Sequence, residues 1–186
     1  ELRLYKDEEE LDAMRRAQAI TDEAFKAILD FIKPGMTERE VALELEYFMR
    51  RNGASGMAFD VIAVSGEASS LPHGVPRNKK LEKGFLTMDF GAMAEGYCSD
   101  MTRTVVVGHA DSEMKSLYNT VLKAQNEALD IIRAGVGCRQ ADKVARDIIY
   151  GAGYEGYFGH GLGHSVGLEI HENPRFSMIE DDIVEA

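Results

Sequence analysis

The chain repeats itself at a distance of 100 residues, and no other feature limits its fold as strongly. Leu29-Asp30 returns as Leu129-Asp130, Ile32 as Ile132, Lys33 as Arg133, Gly35 as Gly135, Arg39 as Arg139 and Gly53 as Gly153. A gapless register over roughly 25 residues marks a duplicated structural unit. Each copy has a long helical stretch, a glycine and a shorter helical stretch.

In the first copy, Leu11, Met14, Gln18, Thr21, Phe25, Ile28 and Ile32 mark a mostly apolar face. This spacing predicts a helix from about Asp7 to Ile32. Asp7 and Glu10 fit a capping box, and Lys33-Pro34-Gly35 ends the helix. Thr37 and Glu40 form a second capping box, opening a helix through Val41, Leu45, Phe48 and Met49 that closes at Asn52-Gly53. Strands are expected at Phe59–Val64, Phe85–Phe90 and Arg103–Val107, the last two around a turn near Ala94–Gly96. In the second copy, Met114, Leu117, Tyr118, Val121, Leu122, Leu129 and Ile132 predict a helix running to Gly135. Another follows at about Gln140–Tyr150 and ends at Gly151.

The predicted class is α+β, one domain over residues 1–186 made of two pseudo-symmetric αβ halves. The first half runs from about Asp7 to Val107. A second half that starts near Asp111 and matches it in length would reach roughly ten residues or more past position 200. The second half, about 111–186, is therefore expected to be incomplete. The final Glu180-Asp181-Asp182-Ile183-Val184-Glu185-Ala186 does not read as a natural end.

Composition narrows the function classes. Hydrophobic residues make up 45% and charged residues 28%, as in globular chains. Apolar runs such as Val105–Val107 are a few residues long, against the ~20 needed to span a bilayer. The opening ELRLYKDEEE lacks the basic-then-apolar order of a signal peptide. Cys98 and Cys138 are the only cysteines, so no disulfide framework or CxxC metal site is expected, and the pair suits a cytoplasmic protein. The net charge is −11, from 21 basic and 32 acidic residues. No basic run exceeds Lys79-Lys80 or Arg15-Arg16. Nucleic acid and anionic membranes bind through Lys and Arg, so neither is an expected partner.

Two constellations carry chemistry. Asp89 and Asp100 lie within MDFGAMAEGYCSDMTRT. With the turn centred between Ala94 and Glu95, they fall opposite each other on an antiparallel hairpin, where like charges destabilise a sheet. A divalent cation held by both carboxylates answers this. The alternative puts one Asp in the turn and pairs the other with Arg103. The histidines are His73, His109, His160, His164 and His171, three of them within GHGLGHSVGLEIHENP. Gly159, Gly161, Gly163 and Gly167 permit close approach of backbone to a ligand. Imidazole is the commonest metal ligand and titrates near neutral pH, so the cluster suggests a metal ligand with proton-handling neighbours. The spacing is not HExxH. His73, between Pro72 and Pro76, rides a rigid loop, and His109 reads as a surface residue. No nucleophile elbow, P-loop or dinucleotide fingerprint is present.

Taken together, PHGVP, MDFGAMAEGYCSDMTRT and GHGLGHSVGLEIHENP resemble the pita-bread metallopeptidases, which include methionine aminopeptidases, Xaa-Pro aminopeptidases, prolidases and creatinase. The resemblance covers about Asp7 to Pro174 and is closer to the Xaa-Pro branch. It implies a catalytic domain of two related αβ halves. By resemblance, Asp89 and Asp100 look like the first two ligands of a dinuclear metal centre and His164 like its histidine ligand. His73 resembles the loop histidine that assists proton transfer. His171 resembles the histidine that helps hold the substrate carbonyl and the tetrahedral intermediate. His160 resembles an extra histidine of the Xaa-Pro branch and is assigned to substrate binding. The family's last two ligands are glutamates, one in a TxEPG-like strand. Neither motif is here, Glu180 and Glu185 stand too near His164, and both glutamates are expected beyond Ala186. KGFLTMDFG also lacks the Asp usual after its Gly, and by the same resemblance residues 1–186 are expected to hold no part of the creatinase-like N-terminal domain.

The resemblance thus implies metal-dependent hydrolysis of the bond between an N-terminal residue and proline in a small peptide. Two divalent ions, Mn, Co or Zn, would serve it. The chain on its own is expected to bind metal poorly and to be inactive. One alternative is a methionine aminopeptidase, against which His160 argues. Another is a non-catalytic binding module of the same fold, against which the retained Asp and His residues argue. A homodimer accords with the resemblance, since prolidase relatives pair.

Overall fold

Each copy of the repeat begins with an α-hairpin. In this computed structural model, which describes residues 2–185, α1 spans Glu8–Phe31 and α2 spans Glu38–Arg51. In the second copy, α3 spans Ser112–Ile131 and α4 spans Cys138–Gly151. The helices that open the two pairs end at residues 31 and 131, and their partners begin at 38 and 138. Gly35 (φ 93°) and Gly135 (φ 91°) take the same left-handed conformation between them, which side chains disfavour. Both expected capping boxes form. Asp7 accepts from the Glu10 amide at 2.9 Å while Glu10 accepts from the Asp7 amide at 2.8 Å. Thr37 and Glu40 do the same for α2.

The chain divides into two units. Unit 1 comprises residues 2–109 with Val166–Ile170, and unit 2 comprises Ala110–Ser165 with residues 171–185. In unit 1, the strands β1 (Gly56–Met57), β2 (Ile62–Ser65), β3 (Gly84–Phe90), β4 (Ala92–Ala94), β5 (Tyr97–Cys98) and β6 (Met101–Val107) follow the helix pair. They form two antiparallel sheets of order β2-β3-β6 and β1-β4-β5. Alternation along β3 turns Leu86, Met88 and Phe90 inward, where they are fully buried with Ile28, Val41 and Leu45. Each such side chain contributes roughly 1.5–3 kcal/mol by its burial. Thr21 of α1 is also buried, and its hydroxyl meets the Ser99 hydroxyl at 2.7 Å. Both hydroxyls accept from the Ala92 amide, at 3.1 and 2.9 Å, pinning the β4–β5 hairpin to α1.

Three expectations need correction. The strand expected at Phe59–Val64 is Ile62–Ser65, because pairing begins only where Ile62 meets Asp89, one residue from the end of β3. The hairpin turn is centred one residue later than expected. Glu95 (φ 52°) and Gly96 (φ 87°) form its two central positions, the pair of positive φ angles that a type I′ turn requires. The register moves accordingly, so Asp89 stands opposite Thr102 and not opposite Asp100. The apolar face expected on the third helix is largely exposed, with Tyr118, Val121, Leu122 and Leu129 all open to solvent. In its place Ala124 and Ala128 are buried and pack with Ala145 of α4, since small side chains let two helices approach closely.

In unit 2, two short strands follow the helix pair, β7 (Gly163–Ser165) and β8 (Glu172–Phe176), paired antiparallel. The segment after them returns to the helix pair, where the Cys138 amide donates to Asp182 at 2.8 Å and the Val184 amide to Val136 at 2.9 Å. The Glu38 amide donates to Lys79 and the Leu81 amide to Met36 in the same pattern in unit 1, so the repeat extends past the helices. Ala186 lies outside the described residues. Among those residues no helix is long and apolar enough to cross a membrane.

Candidate active site

The hairpin of unit 1 carries Asp89 on β3, and Asp100 immediately precedes β6. Asp89 is on the face of β3 away from the core, and the Thr102 hydroxyl donates to its Oδ1 at 2.8 Å. Asp100 stands two residues before Thr102. Both aspartates are half-buried. On the same hairpin, Gly91 has no room for a side chain, because a Cβ there would lie 1.9 Å from the Ser99 carbonyl oxygen.

His73 sits exposed on the loop after the short 3₁₀ turn Gly66–Ser70. Both ends of this loop are tied to Glu38, a buried carboxylate in the first turn of α2. Glu38 accepts from the Ser65 amide (2.8 Å), the Ser65 hydroxyl (3.0 Å), the Arg77 amide (3.0 Å) and the Arg77 guanidinium (2.6 and 2.8 Å). Burial alone would raise its pKa, but the hydrogen bonds from Arg77 and Ser65 outweigh burial and hold it at about 2.

Unit 2 gathers the other histidines. His164 lies in β7 opposite Arg175, while the next residue, Ser165, pairs with Glu172. This irregularity in the ladder is of the kind that re-aims a side chain. The His164 and His171 rings meet edge to face with centroids 4.5 Å apart. His164 Nδ1 stands 3.0 Å from the Ser165 carbonyl. A carbonyl only accepts, so Nδ1 carries the hydrogen and Nε2 is the basic nitrogen. The exposed His160 ring packs edge-on against Phe158 at 4.9 Å, with its Nδ1 donating to the Gly161 carbonyl at 2.8 Å. His109 is exposed, as expected.

Sequence reading missed the pair that underlies this segment. Asp142 is fully buried, and its carboxylate accepts from Arg146 at 2.8 and 3.0 Å and from the Leu162 amide at 2.9 Å. The spacing of four on one helix was the available signal. Glu38 and Arg77, 39 residues apart, left none.

Two carboxylates and an imidazole are oxygen and nitrogen donors, and their chemistry suits a borderline divalent cation. Asp89 and Asp100 belong to unit 1 and His164 to unit 2. Among the described residues no group of three or more His, Cys, Asp or Glu side chains is drawn together to hold a metal ion.

Comparison with known proteins identifies the class to which this fold belongs. Residues 12–186 match metallopeptidase family M24. The chain is 47% identical over 185 residues to an uncharacterized peptidase, YqhT, of Bacillus subtilis, covering 99% of this chain and 52% of that protein. It is 44% identical over 185 residues to an Xaa-Pro dipeptidase of Pyrococcus furiosus, covering 99% and 53%. The solved X-Pro aminopeptidase of Thermotoga maritima superposes with a TM-score of 0.96 at 45% identity, covering 99% of this chain and 53% of that one. The chain belongs to metallopeptidase family M24 and has the pita-bread fold over the part it shares with these relatives. It spans about half the length of the curated relatives it matches.

Proposed function

We propose that a protein carrying this chain hydrolyses the peptide bond between an N-terminal residue and proline, with the help of divalent metal ions. The observation that carries this reading is the likeness, over nearly the whole chain, to an Xaa-Pro dipeptidase. In this reading Asp89, Asp100 and His164 hold the cations, which would be Mn, Co or Zn. A bound cation of this kind lowers the pKa of a water and polarises the scissile carbonyl.

The chain's own residues do the rest. The Thr102 hydroxyl fixes the orientation of the Asp89 carboxylate, and the Ser165 carbonyl fixes the tautomer of His164. Groups behind the ligands tune a metal site in this way. His171 donates a hydrogen bond to the carbonyl oxygen as negative charge develops there. His73, on its tied loop, moves the proton to the leaving nitrogen, and His160 contacts the peptide.

The test is hydrolysis of an Xaa-Pro dipeptide and of a Met-Ala-Xaa peptide by a protein carrying the chain, with and without added Mn²⁺. Cleavage of the Xaa-Pro substrate alone is expected, dependent on metal and lost in Asp89→Asn. Preferential cleavage of Met-Ala-Xaa would favour a methionine aminopeptidase. Binding of peptide without cleavage would favour a non-catalytic module.

A further inference from the structure

The guanidinium of Arg146 has five N–H donors, and all five are engaged. Nε and Nη2 donate to the two oxygens of Asp142 at 2.8 and 3.0 Å. Nη1 donates to the Phe158 carbonyl at 2.7 Å and to the Tyr150 hydroxyl at 3.3 Å. Nη2 also donates to the His160 carbonyl at 2.8 Å. The guanidinium carbon lies 4.4 Å from the centre of the Phe158 ring, and the same ring meets His160 edge-on. Arg146 therefore holds His160 twice, by its backbone carbonyl and through Phe158. The Asp142 oxygen that binds Nη2 also takes the Leu162 amide. One charge pair on α4 thus fixes residues 158, 160 and 162, immediately before the strand that carries His164.

We propose that Arg146, held by Asp142, is the positioning residue of the histidine segment. It sets where the His160 and His164 rings stand and acts on a peptide only through them. The link to a peptide rests on the Xaa-Pro reading, but the positioning does not. The pair is too deep to be an ordinary helix-surface contact, since Asp142 is fully buried and the Arg146 side chain is only 14% exposed. A lysine has three donors on a point charge and cannot span Asp142 and two carbonyls at once.

The test uses this chain without metal or substrate. Amide hydrogen exchange is followed at Leu162 and at the helix-pair residues Ala124, Ala128 and Ala145, with NMR of the histidine rings. The variants are Arg146→Met, Arg146→Lys and Asp142→Asn. In each, exchange at Leu162 is expected to rise at least about tenfold, the size expected for losing a charge-assisted hydrogen bond. The His160 and His164 ring signals move, while the three alanine amides and the His73 and His109 signals stay as they are. If Arg146→Met does not fold, Asp142→Asn decides by the same criteria. Unmoved His160 and His164 rings overturn the proposal. So does exchange that rises equally at Leu162 and the three alanines, because the pair would then only stabilise the unit. Either result is independent of whether Xaa-Pro peptides are cleaved.

Discussion

The imidazoles of His164 and His171 stand edge to face, their planes inclined at 65° and their centroids 4.5 Å apart. They stand seven positions apart in the chain, and the pairing of β7 with β8 closes the gap. Their proposed roles differ, and so do the expected effects of removing them. His164→Ala should weaken metal binding at least about tenfold. His171→Ala should leave metal affinity near its original value and lower kcat by about 10²–10³, as loss of one oxyanion donor does. Metal titration and steady-state kinetics on both variants separate the two. Equal effects of both on metal affinity would contradict the assignment.

Gly91 follows β3, two residues after Asp89. A Cβ at this position meets the Ser99 carbonyl oxygen at 1.9 Å, and that oxygen belongs to the backbone and cannot swing away. Gly91→Ala should therefore cost about 3 kcal/mol, the upper part of the overpacking range. Gly137→Ala, with nothing within 4 Å of its added carbon, should cost far less. Urea unfolding of the two variants measures the difference.

Glu38 makes stability depend on acid. Its ordinary pKa of 4.5 falls to about 2 in the folded chain. Between these values the unfolded chain binds more protons than the folded one, so stability is intact above about 4.5 and falls as pH drops toward 2. The full loss is on the order of 3 kcal/mol. Glu38→Gln should flatten this part of the pH–stability curve. It should also lower stability at neutral pH, since Arg77 then loses its buried partner. Denaturant titrations across pH 2–6 check both.

Helix α3 buries alanines and exposes larger residues. Leu129 is 59% exposed and Ala128 only 2%. Leu129→Lys should change stability by no more than about 0.5 kcal/mol, as surface substitutions do. Ala128→Leu should cost about 1–3 kcal/mol by forcing α3 from α4. Thermal unfolding of the two variants tests which face carries the packing.

This helix also shows where sequence pattern misleads. Helical spacing correctly placed α3, but the largest apolar residues on it were not the buried ones, because two close helices meet through small side chains. The helix ends were legible because Asp7–Glu10 and Thr37–Glu40 are local devices, complete within four residues. The turn of the hairpin was harder. Its position depends on which two residues take positive φ, and Glu95 does so beside Gly96, which composition does not announce. That single residue moved Asp89 from opposite Asp100 to opposite Thr102. The five-donor arrangement of Arg146 was illegible for another reason. Two of its acceptors are main-chain carbonyls 12 and 14 residues along the chain, and carbonyls leave no mark on a sequence.

The most direct measurement is titration of Mn²⁺ into a protein carrying this chain, followed by electron paramagnetic resonance, with Asp89→Asn and His164→Ala beside it. Saturable binding that each substitution weakens at least about tenfold is the expected result. Failure of that unsubstituted protein to bind, or binding that both substitutions leave unchanged, would contradict a metal site built on Asp89, Asp100 and His164.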